Sequence, residues 1–229
     1  MRRAVDPCQG LMLAECALEL LVFAGFYGTY EASRHNMISD TLFELVEYTA
    51  LLTLFLAFRL MFGALYLYRR WRGCQGPDVH RAILAAMAGF ALTLLGWAWL
   101  CVHHEGPNHL SGVGVFAAGT LLYSIGLVRV ARLTDHHLRL DTLYFALDLA
   151  LLGLTAGLGV GFACMWFQDM AATYIVEHAA YAANLVFWMV FFTFHWVGPL
   201  PGQEQCRTFH MPAQCQPLLP VVDPGQGRV

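Results

Sequence analysis

Six stretches of the chain are apolar on every side and long enough to cross a lipid bilayer as helices. A hydrocarbon core of about 30 Å requires roughly 20 mostly apolar residues in helical form. The predicted spans are 10–30, 42–68, 82–102, 110–131, 142–167 and 174–196. The pattern therefore predicts an all-α integral membrane protein, a six-transmembrane-helix bundle formed by residues 10–196.

The composition favours the membrane interpretation over a soluble helical domain. Apolar residues make up 58% of the chain and charged residues 13%, against about 45–50% and about 25% in soluble domains. Soluble helices would also show a charged stripe along one face. Residues 197–229 are rich in Pro, Gln and Gly without hydrophobic periodicity, which predicts a disordered cytosolic tail. Residues 1–9 form a short N-terminal segment.

Arginine alone carries the orientation signal, because the chain contains no Lys. The loops that follow the first, third and fifth spans contain only one arginine, Arg34. The flanks, loops and tail on the other side contain Arg2, Arg3, Arg69, Arg70, Arg72, Arg81, Arg129, Arg132, Arg139, Arg207 and Arg228. The bias predicts that both termini are cytosolic. The chain shows no basic groove, so nucleic acid is not an expected partner.

Three ionisable residues lie deep inside the predicted spans. Glu19 and Arg59 are each about 13 Å from the cytosolic end of their span, and Asp148 is about 10 Å from it. A charge in hydrocarbon is costly and requires a partner or a function. We therefore predict a Glu19–Arg59 ion pair with Asp148 as a second acceptor. The alternative is that Arg59 extends its side chain to the cytosolic headgroups.

A second polar cluster is predicted at the opposite end of the bundle. In the last span, Glu177, Tyr181, Asn184 and Trp188 share one helical face, which predicts that this face points into the bundle. Glu44 and Glu47 are expected on one face at the start of the second span. The candidate residues for recognising a ligand or partner are Asp40, Glu44, Glu47, His103, His109, Glu177, His178 and Asn184.

Catalytic and metal-binding motifs are weak in this chain. There is no HExxH, CxxC pair or GxSxG elbow, so we predict no catalytic residue, no metal and no cofactor. Gly153, Gly157 and Gly161 are spaced by four residues, which favours close helix packing inside the bundle, with a dimer interface as the alternative.

Several short motifs resemble those of the damage-regulated autophagy modulator (DRAM) family. Residues 38–41 read Ile-Ser-Asp-Thr and resemble a segment of that family between its first two spans. The segment 109–116, followed by Gly119, Leu122 and Tyr123, is similar to the signature that opens its fourth span. Glu177 and Asn184 resemble a pattern in relatives that remodel GPI-anchor lipids.

The resemblance implies a non-enzymatic regulator of autophagic, lysosomal or phosphoinositide-linked membrane processes. Its expected partners are membrane lipids or another membrane protein. The expected location is an endomembrane (lysosome or ER–Golgi) or the plasma membrane. One alternative is a lipid-remodelling enzyme or its cofactor, using Glu177, His109 and His178. The other is a proton or ion pathway through Glu47, Asn184, Asp148 and Glu19.

Overall fold

A computed structural model describes residues 7–31, 34, 37–73, 76–103, 106–134, 141–167 and 172–196. The predictions for residues 1–6 and for the tail 197–229 lie outside the described residues. His104 and Glu105, which neighbour the candidate His103, also lie outside them.

The described chain is almost wholly helical and contains no strand. Six of its helices are long and apolar enough to cross a membrane, as the hydrophobic pattern predicts. The helices are α1 (Pro7–Phe26), α2 (Ile38–Glu44), α3 (Val46–Gly73), α4 (Pro77–Val102), α5 (Gly106–Thr134), α6 (Asp141–Phe167) and α7 (Thr173–His195). A π-helical turn, Tyr27–Glu31, extends α1.

The predicted second span begins too early, because residues 38–44 form the separate short helix α2. Leu45 adopts an extended conformation (φ −126°, ψ 100°) between α2 and α3. The Thr49 hydroxyl donates to the carbonyls of Leu42 and Leu45 and so satisfies backbone groups at this break. Glu44 ends α2 and Glu47 lies in the first turn of α3, so the prediction that they share one helical face is wrong.

The six long helices close into a ring. α1 packs on α3 and α7, α3 also contacts α4 and α5, and α5 contacts α6, which packs on α7. The α4–α5 and α6–α7 hairpins are the most extensive contacts. The buried Tyr123 of α5 connects helices across the inside of this ring. Its hydroxyl donates to the carbonyl of Leu60 on α3, and its aromatic side chain contacts Trp188 on α7.

Glycines allow the α4–α5 hairpin to pack backbone against backbone. A Cβ at Gly89 would overlap the backbone of Tyr123, and a Cβ at Gly96 would overlap that of Phe116. Gly119 and Gly126 of α5 meet α4 in the same way. Small residues at such crossings let transmembrane helices gain van der Waals contact that larger side chains would prevent.

The glycines of α6 behave differently from the four glycines at the α4–α5 crossing. A Cβ at Gly153 or Gly157 would meet no atom within 4 Å, and one at Gly161 would meet only Val176, at 3.7 Å. The prediction that this spacing serves packing inside the bundle is therefore wrong for Gly153 and Gly157. Only 11% of the apolar window of α6 is buried, against 50% for α3, so α6 presents most of its surface to the surroundings.

We predict opposite effects for alanine at two glycines. Gly89→Ala should lower the unfolding free energy by about 1–3 kcal/mol, because the added methyl group must displace the Tyr123 backbone. Gly157→Ala should be neutral or stabilising by up to about 1 kcal/mol, because it gains helix propensity in open space. Thermal unfolding of the two variants in the same detergent measures the difference. Equal melting temperatures would contradict the packing account.

Candidate functional site

Polar side chains, all of them buried except the half-buried Tyr181, meet at three levels along α7. The central layer is Glu19, Arg59 and Tyr181. The layer at the end of the bundle next to α2, the α2-end layer, is Glu31 and His178. The layer at the opposite end, where Arg70 of α3 contacts α7, is Asp148 and His195 and is called the Arg-end layer. Each layer joins α7 to another helix by a hydrogen bond between side chains. The three layers are therefore the main polar connections inside the described bundle.

The central layer contains the ion pair that the residue depths predicted. Nη2 of Arg59 on α3 contacts Oε2 of Glu19 on α1, and both side chains are buried. The hydroxyl of Tyr181 on α7 donates to the other carboxylate oxygen, Oε1. Glu19 thus accepts one hydrogen bond from each neighbouring helix. The contact is direct and buried, so Arg59 does not extend to the headgroups.

The prediction that Asp148 is a second acceptor for Arg59 is wrong. Asp148 Oδ2 pairs instead with Nε2 of His195, at 2.7 Å, in the Arg-end layer. Asp148 is buried, but α6 packs on α7, and the partner His195 is fourteen residues along α7 from Tyr181 of the central layer. Helix order in the ring, which depth does not determine, selects the partner.

The end of α7 is held by further polar contacts near His195. The Gln9 amide of α1 donates to the carbonyls of Phe192 and Thr193, at 3.2 and 3.0 Å. The Arg70 guanidinium of α3 donates to the carbonyl of His195 at 3.1 Å. These donors satisfy carbonyls that the last turn of a helix leaves without intrahelical partners.

The α2-end layer links the end of the first span to the start of the last. Glu31 Oε2 and His178 Nε2 are 2.6 Å apart, and both side chains are buried. His178 Nδ1 donates to the carbonyl of Tyr174 at 2.6 Å. The rings of Phe23 and Tyr27 contact the imidazole, so the pair is enclosed by aromatic side chains.

Glu177 fixes the position of α2. Its Oε2 accepts a hydrogen bond of 2.7 Å from the backbone N–H of Ile38, the first residue of α2. A carboxylate at the N-terminus of a helix satisfies a backbone donor that has no intrahelical acceptor, and it interacts favourably with the helix dipole. Ile38 and Leu42 pack into the apolar cluster of α1 and α3, so α2 lies against the end of the bundle.

The remaining acidic candidates at this end are exposed. Asp40 accepts a hydrogen bond from the backbone of Met37, and Glu44 accepts one from the hydroxyl of Tyr30 and lies 3.6 Å from Arg34. Glu47 is exposed in the first turn of α3. The structure therefore divides the candidates into a buried set that holds helices together and an exposed acidic set beside α2.

The histidines of the α4–α5 turn form a local contact. His109 Nδ1 lies 3.1 Å from the carbonyl of His103, and the His103 ring contacts Trp99. Glu177 and His178 are engaged with α2 and Glu31, so each of the proposed catalytic residues has a separate structural contact. Among the described residues, no group of three His, Cys, Asp or Glu side chains is arranged to hold a metal ion.

Apolar side chains separate the Arg-end layer from the other two. Tyr181 and His195 are fourteen residues apart on α7, a rise of about 21 Å. Asn184 is buried in this interval. The fully enclosed side chains there are apolar or aromatic: Leu185, Phe187, Trp188, Phe191 and Phe192. Asp148 and Glu19 are thus on opposite sides of an aromatic layer, which does not support a proton or ion pathway between them.

The sequence pattern did not reveal two acidic residues in and next to these layers. Glu31 lies just beyond the predicted first span, 10–30, yet it is buried at the end of the π-helical turn. Glu15 is one turn from Glu19 and interacts electrostatically with both Glu19 and Arg59. The i, i+4 spacing of Glu15 and Glu19 within an apolar span was the available signal for a shared cationic partner.

Comparison of the chain with protein-family models, curated proteins and solved structures finds no match in any of the three.

We predict strong coupling between Glu19 and Arg59. Either Glu19→Gln or Arg59→Met should lower the unfolding free energy by about 3–5 kcal/mol, because it leaves the other group charged and buried. The double variant should lose much less than the sum, because neither charge remains.

The matched control is Arg81→Met. Arg81 is paired with Asp78 at 3.6 Å, but its side chain is 78% exposed, so its loss should cost at most about 1 kcal/mol. The change in unfolding free energy of the two single variants, the double variant and the control is measured by denaturant unfolding of the detergent-solubilised protein. Additive losses at Glu19 and Arg59 would contradict the ion pair.

Proposed function

We propose that the protein is a non-enzymatic regulator of an autophagic, lysosomal or phosphoinositide-linked membrane process. It would bind a membrane lipid or a membrane partner at the α2 end of its bundle. The proposal rests on one observation. Glu177 holds the N-terminus of α2 against the end of the bundle, and the acidic side chains in and next to α2 form an exposed edge there. The proposed location of such a regulator is the lysosome or the plasma membrane, whereas the ER–Golgi is the location expected of the lipid-remodelling alternative.

The division of polar groups supports recognition rather than catalysis. The buried carboxylates Glu19, Glu31 and Asp148 each bond a side chain of a neighbouring helix. Glu177 bonds the α2 backbone. Such groups are occupied in holding the fold, whereas a catalytic acid or base must reach a substrate.

The exposed groups beside α2 suit a positively charged partner group. Asp40, Glu44 and Glu47 are all exposed, and of the three only Glu44 lies near a described cation, Arg34. A carboxylate edge at the membrane surface attracts an amine-bearing headgroup or a basic protein segment over about one Debye length. The apolar residues of α2 meanwhile anchor the helix to the bundle.

The family resemblance supports the same surface. The Ile-Ser-Asp-Thr segment forms the first turn of α2. Ile38, Ser39 and Thr41 are buried in it, and Asp40 is exposed. The motif thus supplies both the residues that seat α2 on the bundle and one of the acidic groups that a partner would meet.

We predict that Asp40→Asn/Glu44→Gln/Glu47→Gln impairs function without unfolding the protein. The substitutions are nearly isosteric and remove charge only from exposed positions. In cells lacking the protein, autophagic flux during starvation should be restored by the wild type and restored less than half as well by the triple variant. Asp78→Asn, an exposed acid at the start of α4, is the matched control and should restore flux fully.

Full restoration by the triple variant, at equal expression and location, would contradict recognition through this edge. Loss of function in Asp78→Asn as well would show that the effect is not specific to the α2 end.

A further inference from the structure

The Glu31–His178 contact requires a proton that the rest of the site does not supply. The carbonyl of Tyr174 can only accept, so the 2.6 Å contact to His178 Nδ1 places a hydrogen on Nδ1. Nε2 of the same ring is 2.6 Å from Glu31 Oε2. A hydrogen bond there needs one more hydrogen, either on Nε2 as imidazolium or on the carboxyl group.

Without that hydrogen the contact becomes repulsive. The lone pair of Nε2 would face a carboxylate oxygen at hydrogen-bonding distance, with both side chains at most 4% exposed. Water has little access to separate or solvate the two groups, and burying an unpaired charge is costly. The geometry is therefore compatible with the protonated pair and not with the deprotonated one.

The groups around the pair do not provide a substitute cation. From α3, the buried hydroxyl of Tyr48 interacts with Glu31 but brings no positive charge. From α7, Glu177 is adjacent to His178, and from α2, Asp40 interacts electrostatically with Glu177. Tyr27 contributes a ring face from the end of the first span. Among the described neighbours, the charged groups besides His178 are acids.

We propose that Glu31 and His178 form a proton-binding site that joins the end of the first span to the start of the last when it is occupied. Raising the pH removes the shared proton and weakens the α1–α7 connection beside α2. The site is stabilising at acidic pH, and this contribution is lost as the pH rises through the titration of the pair. The inference stands on hydrogen-bond geometry and is independent of the proposed function.

Glu31→Gln tests the proposal because it keeps a hydrogen bond but removes the titration. The glutamine amide N–H can donate to the unprotonated Nε2 at any pH, in nearly the same volume. The purified full chain is melted in one detergent between about pH 5 and about pH 8.5, a range that brackets an ordinary imidazole. The melting temperature of the wild type should be at least about 4 °C lower at the alkaline end than at the acidic end. For Glu31→Gln, the fall in melting temperature over the same range should be at most half as large.

Glu44→Gln is the control, since it removes an exposed carboxylate at the end of α2 and should keep the wild-type response. If Glu31→Gln does not fold, His178→Gln serves instead, because its amide can donate to the Glu31 carboxylate at any pH. An equal alkaline loss in the wild type and the glutamine variant would overturn the proposal. So would a wild type whose melting temperature does not fall.

Discussion

The buried Glu19–Arg59 pair is the constraint on which the arrangement of the first, second and last spans depends. Two charges buried among apolar helices are tolerated only when they are paired, so α1 and α3 must bring these residues together. Tyr181 then joins α7 to the same carboxylate. The three helices share one polar contact in a region where other contacts are apolar and less directional.

The position of α2 follows from this central contact. With α1, α3 and α7 fixed, Glu31 meets His178, and Glu177 faces the N-terminus of α2. The short helix then closes the end of the bundle with Ile38 and Leu42 and presents acidic side chains outward. The recognition surface that we propose is thus a consequence of buried polar pairing rather than an independent loop.

Hydrophobic run length predicts the six helices that are long and apolar enough to cross a membrane, and helical rise gives an approximate position for the ionisable residues within them. That sufficed for the Glu19–Arg59 pair. It did not suffice for Asp148, whose partner His195 depends on the order of helices around the ring. Helix order is set by side-chain packing between distant segments, which a single hydropathy pattern does not encode.

Local departures from regular α-helix account for the other differences between the predicted and the observed structure. The extended Leu45 separates α2 from α3, and the π-helical turn carries Glu31 into the bundle. Neither is marked by Pro, and both occur within sequence that is compatible with continuous helix or loop. The glycines show the same limitation: Gly89 and Gly153 both lie in apolar helices, but only Gly89 meets a neighbouring backbone.

The proposed role is most directly tested by the location of the tagged, full-length protein in cells, scored against lysosome, ER–Golgi and plasma-membrane markers. A regulator of autophagic or lysosomal membranes is expected to coincide with the lysosomal marker. Confinement to the ER–Golgi would contradict that role and would favour lipid remodelling by residues at the same end of the bundle.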